Sequence, residues 1–165
     1  MIKTRILSAV LLLAGCGLIA QGTAFAEKAP IGSDFKMLVE VSSPLGFEET
    51  LERLEANAKD LGWKVPGKWK VDFQENLMKV TDTDIGPNRV IKMCEPFAAA
   101  ELLVKDEYKM LTAMMPCTIA VYVKSDGKTY VSMMNLEAMG NMFGEDVKKM
   151  TNELAPQMAK MMTFD

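Results

Sequence analysis

Apolar positions recur at two spacings along this chain, and the changes from one spacing to the other mark out its elements. Phe35, Met37, Val39 and Val41 fall at every second position, so they line one side of a first strand, which Ser42-Ser43-Pro44 ends. The spacing then changes to steps of four and three through Phe47, Leu51, Leu54, Ala58 and Leu61, a single stripe on a helix. Glu48 and Glu49 sit at its electropositive N-terminal end, and Gly62 stands just past its C-terminus. From Trp63 to Phe73, aromatic and β-branched residues predict an edge strand made irregular by Pro66-Gly67. Trp63 and Trp69 flank that interruption as candidates for a ligand groove, with packing against the sheet as the plainer role. Asp82, Asp84 and Gly86 carry part of the spacing of a calcium loop without its other ligands, and predict a polar turn.

The second half repeats the alternation. Asn88 to Cys94 predicts a strand that ends at Pro96, and Phe97 to Val104 predicts a short alanine-rich helix. Cys117 to Val123 and Thr129 to Met133 read as strands joined at Asp126-Gly127, a signal for a tight type I′ hairpin. From Leu136 through Met139, Val147, Met150 and Leu154 to Met161, apolar residues again recur every three or four positions, a second buried helical stripe. Gly140 and Gly144 blur its start, and Pro156 predicts a kink or a division in two. The order β-α-β-β-α-β-β-α predicts an α+β domain, a largely antiparallel sheet with helices packed on one face.

Ahead of this pattern stands an export leader. Lys3 and Arg5 precede an apolar run, and Ala24-Phe25-Ala26 before Glu27 supplies a small-x-small cleavage site, giving a signal peptide over 1–26 cut after Ala26. The alternative is Leu13-Ala14-Gly15-Cys16, which resembles a lipobox and would end the signal at 15, leaving Cys16 lipidated. Either route exports the chain, to the periplasm or beyond, or to the outer membrane as a lipoprotein; contact with a membrane is expected only if Cys16 carries lipid. Residues 27–34 read as a short extension and residues 35–165 as a single domain.

Composition narrows the chemistry further. Of 19 basic and 22 acidic residues the leader holds two basic and no acidic ones, so the mature chain is acidic and without a basic stripe, a poor match for nucleic acid. It has no histidine, which removes Ser-His and Cys-His nucleophile pairs and the histidine ligands of most zinc and copper sites. No glycine-rich phosphate loop or dinucleotide fingerprint is present. Glu48, Glu49, Glu52 and Glu55 are spaced as a solvated helix face rather than as a catalytic pair. No catalytic set emerges, and a non-enzymatic binding or interaction protein, with a small-molecule or protein ligand the sequence leaves unnamed, is the reading that follows.

Gly46-Phe47-Glu48-Glu49-Thr50, Leu61-Gly62, Cys94-Glu95-Pro96, Met115-Pro116-Cys117 and Asp126-Gly127 occur in an order that resembles the domain of unknown function 302 family, over about residues 35 to 162. The resemblance implies an α+β fold with an antiparallel sheet and a homodimer, and it implies no catalytic residues. It also makes both cysteine positions, Cys94 and Cys117, part of the family pattern.

Three readings of that pair stay open. Each cysteine lies at a strand boundary, so a structural disulfide across the 23-residue separation is the default, worth about 3 kcal/mol on the loop-entropy account. A thiol-redox role would need an exposed, acidified sulfur, which no Cys-x-x-Cys motif or basic neighbour suggests. A Cu(I) site would join Cys94 and Cys117 to Met93 and Met115, in a chain with 15 methionines; methionine at helical spacing is nevertheless usually core.

Overall fold

The Leu51, Leu54 and Ala58 stripe is buried along helix α1 (Phe47–Asp60), whose C-terminal turn closes on Gly62 at φ +85°. The computed structural model describes residues 36–164, so the leader expectations at Cys16 and Ala26 lie outside the described residues. Five strands, β1 (Leu38–Ser43), β2 (Lys70–Asp72), β3 (Asn88–Met93), β4 (Cys117–Val123) and β5 (Thr129–Met134), form one sheet in the order β1-β5-β4-β3-β2. Each of these pairings is antiparallel, as the α+β reading requires.

Strand alternation sends Ile91, Met93, Ile119, Val121 and Val131 to one face, where they are buried. There they join α1 and the helices α4 (Leu136–Phe143) and α5 (Glu145–Met161) in one core. The other face carries Glu40, Tyr122, Tyr130 and Ser132, none of them buried. Tyr122 and Tyr130 stack there, with the Lys124 ammonium 4.0 Å above the Tyr130 ring and 2.6 Å from Glu40.

The structure departs from the pattern in four places. Helix α2 (Phe73–Thr81) stands between β2 and β3, where no helix was expected; Asp72 caps it by accepting the Glu75 N–H at 2.8 Å. Asp84 then accepts from Gly86 N–H and Gln74, both at 2.8 Å, so the calcium-like residues form the expected polar turn. A second unforeseen segment, a run of 3-10 turns over Asp106–Met114, leads into β4. The β4–β5 loop is a type I turn followed by left-handed Gly127 (φ +75°), not type I′, because Asp126 keeps negative φ and Lys124 N–H pairs with the Lys128 carbonyl. Finally, α5 runs through Pro156, and the break falls instead at Gly144 (φ +97°). Pro156 lies on the exposed side of α5, where water can satisfy the carbonyl its missing N–H leaves free.

Candidate functional site

At one end of the sheet β3 stops, β4 begins and β5 stops, and the two cysteines meet there. Cys117 opens β4 and sits opposite Met93, the last residue of β3. Cys94, one step further, exchanges two backbone hydrogen bonds with Lys64, at 2.8 and 3.1 Å. This bridge draws the segment after α1 alongside and sets Trp63 into the core, where its indole N–H donates to Gln157 at 2.8 Å. On the other side, Glu95 caps helix α3 (Pro96–Leu103), its carboxylate accepting the Ala98 N–H at 2.6 Å and the Phe97 N–H at 3.3 Å. Cys94 is thus fixed between a strand bridge and a helix cap.

These elements enclose a mostly apolar cleft of about 190 Å³. Cys94, Cys117, Met114, Met115, Met134 and Trp63 line it, and Met139 of α4 and Met150 of α5 close its inner wall. Its charged members are Lys92 and Glu95. Glu95 is committed to the α3 cap, whereas Lys92 makes no ion pair or side-chain hydrogen bond among the described residues. A larger apolar groove of about 360 Å³ lies beside β1 and contains no cysteine, and a shallow one between α3 and α5 is lined mostly by paired or solvated charges.

Of the residues the sequence singled out, Cys94, Cys117, Met115 and Trp63 share this cleft, and Met93 does not line it. Met93 is wholly buried in the core, on the sheet face of Ile91, Ile119 and Val121. Both cysteines are free thiols, and the disulfide expected between them is not formed. Strand register sets Cys117 against Met93 rather than Cys94, and the Cys94 thiol turns to the Glu95 carbonyl, 3.5 Å away. Trp69 sits in the 3-10 turn Gly67–Trp69, away from the cleft.

The family described as Domain of unknown function DUF302 matches residues 39–164, most of the chain. The chain belongs to the DUF302 family. A crystal structure of an uncharacterized conserved DUF302 protein from Bacillus stearothermophilus is similar to it, with 25% sequence identity and a TM-score of 0.66, covering 76% of this chain and 94% of that one. No curated protein matches the chain.

In this DUF302 domain the cleft makes its thiols weak acids. Burial, and then the charge Cys94 would carry, push Cys117 up from the ordinary 9.0 to about 11, and burial, then Glu95, raise Cys94 as well. At pH 7 both are protonated and slow to react. Iodoacetamide should therefore label native Cys117 slowly at neutral pH, with the rate rising about tenfold per pH unit until close to pH 11, whereas unfolded protein should show the ordinary thiol midpoint. Because the folded state holds the Cys117 proton more tightly than the unfolded chain, this thiol's contribution to stability is complete below pH 9 and is lost between pH 9 and about 11. Fast labelling of native Cys117 at pH 7 would contradict the assigned burial.

Proposed function

We propose that this chain is an exported, non-enzymatic binding domain whose small ligand occupies the thiol-thioether cleft. One observation carries the reading: an apolar cleft of about 190 Å³ gathers Cys94, Cys117, Met114, Met115 and Met134 at one end of the sheet. Acidity supports the non-enzymatic part, since among the described residues each resolved shift runs away from neutrality. Asp146 is held below the usual carboxylate range by the Lys105 ammonium and Glu40 by that of Lys124, while Asp84 and Asp126 are held down by the N–H groups of Gly86 and Lys128. Lys105 and Lys124 are raised by the same two pairs, and both thiols are raised by burial. General acids, general bases and thiolate nucleophiles need the opposite displacement, toward the working pH. A thiol-redox role meets the same objection, since exchange begins with a thiolate.

Methionine methyl groups report on the cleft directly. With the ε-methyls labelled by ¹³C, titration with toluene should shift Met114, Met115 and Met134 saturably and leave exposed Met78 and Met110 in place. An apolar cavity of roughly 150 Å³ suffices for a ring of this size. Shifts that never saturate, or that are confined to Met78 and Met110, would count against the cleft as a binding site.

A further inference from the structure

Resting on the reading of the cleft as a binding site, we propose that its ligand is Cu(I), held by the sulfurs of Cys94 and Cys117 with a thioether from Met114, Met115 or Met134. Four features of the cleft favour this occupant. At about 190 Å³ it is smaller than the roughly 300–1,000 Å³ of clefts that take organic ligands, so an ion or very small molecule fits it better. Its donors are almost entirely soft: two thiols and several thioethers converge there, brought from the ends of β3, β4 and β5. Soft donors select Cu(I), and Cu(I) is satisfied by two or three of them. Zinc needs four donors in a closed tetrahedron, and no group of three or more cysteine, histidine, aspartate or glutamate residues exists among the described residues to supply them.

The fourth feature is charge. Binding replaces two S–H bonds by two S–Cu bonds and releases two protons to solvent, with no change in the oxidation state of copper or sulfur. The bis-thiolate complex carries one net negative charge. Burying that charge in an apolar cleft is costly unless a cation lies beside it. Of the two charged residues that line the cleft, Glu95 is engaged in the α3 cap and Lys92 has no ion partner among the described residues, so Lys92 is the one side chain there that could supply the balancing cation.

The test uses the full chain as the host exports and processes it, reduced and kept under anaerobic conditions, and titrated with Cu(I) buffered by bicinchoninate. The expected result is one Cu(I) per chain, bound more tightly than micromolar, with two protons released per metal at pH 7. Zn(II) should not bind in the same range. Cys94→Ser and Cys117→Ser should each weaken binding by more than the roughly 10–100-fold typical of losing an outer-shell partner, and Lys92→Met should fall within that range. If either serine variant fails to fold, the wild-type chain still decides the matter: one equivalent of Cu(I) should protect both cysteines from alkylation. Unaltered alkylation, affinity unchanged in the serine variants, or no Cu(I) retained at micromolar concentration would each overturn the copper assignment. If toluene still saturates the cleft in that case, the binding reading survives without copper, and if it does not, both fall together.

Discussion

Trp63→Ala is expected to cost about 3–5 kcal/mol of folding free energy, out of the roughly 5–15 kcal/mol of an ordinary domain. Trp63 is only 2% exposed and occupies the junction of three elements. Its amide closes the turn after α1 by pairing with the Ala58 carbonyl, its neighbour Lys64 bridges Cys94, and its indole reaches Gln157 on α5. Removing the ring leaves a cavity that rigid strands on one side and a helix on the other cannot fill by small shifts. Trp63→Phe separates the contributions, since it keeps most of the apolar bulk and removes the indole donor. Gln157 is only half-buried and can turn to water, so the Phe variant should lose about 1–2 kcal/mol. Urea unfolding of both variants checks the ranking. A loss below 1 kcal/mol for Trp63→Ala would mean that the α1–α5 junction does not depend on this side chain. Because Trp63 also lines the cleft, the Ala variant should weaken occupancy by toluene even where it stays folded.

Trp63 also shows where sequence reading succeeds and where it stops. The chain around it was legible as an irregular edge because Pro66-Gly67 interrupts the alternation, and the structure has a single bridge, a 3-10 turn and a three-residue strand there. Helix α1 was legible because its stripe is buried against the sheet, so periodicity and packing agree. Helix α2 was not, because no residue of it is buried: Phe73 and Met78 stay 43% exposed and leave no clean apolar stripe. Its start was nevertheless signalled by Asp72 and Glu75, an acceptor three residues before an acidic residue, the spacing of a capping box. The cleft was half legible. Residue type marked out Cys94 and Cys117, and nearness to Cys117 marked Met115. Adjacency to Cys94 marked Met93 equally, but Met93 is packed wholly inside the core and does not line the cleft. Trp63 was marked as a groove candidate beside Pro66-Gly67 and does line the cleft, whereas Met134, Met139 and Met150 reach it only through tertiary structure, Met139 and Met150 as buried core residues that also form its wall. Lys92 and Glu95 carried no sequence signal for a site. Glu95-Pro96 did carry the mark of a helix start, since proline suits the first helical position.

The inner wall of the cleft depends on one close approach, and Gly140→Ala should disturb it strongly. With only Gly144 between them, α4 turns sharply back against α5, and Gly140 lies where the two helices touch. A Cβ at position 140 would overlap the Thr151 hydroxyl, stand 3.0 Å from the Lys148 Cα and lie 3.3 Å from the Thr151 Cβ. Two opposing effects compete. Alanine in a helix gains about 1 kcal/mol over glycine, while forcing extra volume into a closed contact costs about 1–3 kcal/mol. The contact should win here, because Thr151 is fully buried and its hydroxyl is engaged with the Lys148 carbonyl, so neither the side chain nor the backbone beside it has room to give. Gly140→Ala should therefore lower Tm by several degrees, and Gly140→Val by more. Thr151→Ala removes the overlapping hydroxyl, so the double variant should recover part of the loss, with a coupling of about 0.5–3 kcal/mol. Met139 and Met150 are the sequence neighbours of this contact, so prising the helices apart should also move their methyl resonances and weaken occupancy of the cleft. A Gly140→Ala protein as stable as the parent, with Met139 and Met150 unmoved, would show that helix propensity outweighs the contact and that the cleft wall does not rest on it.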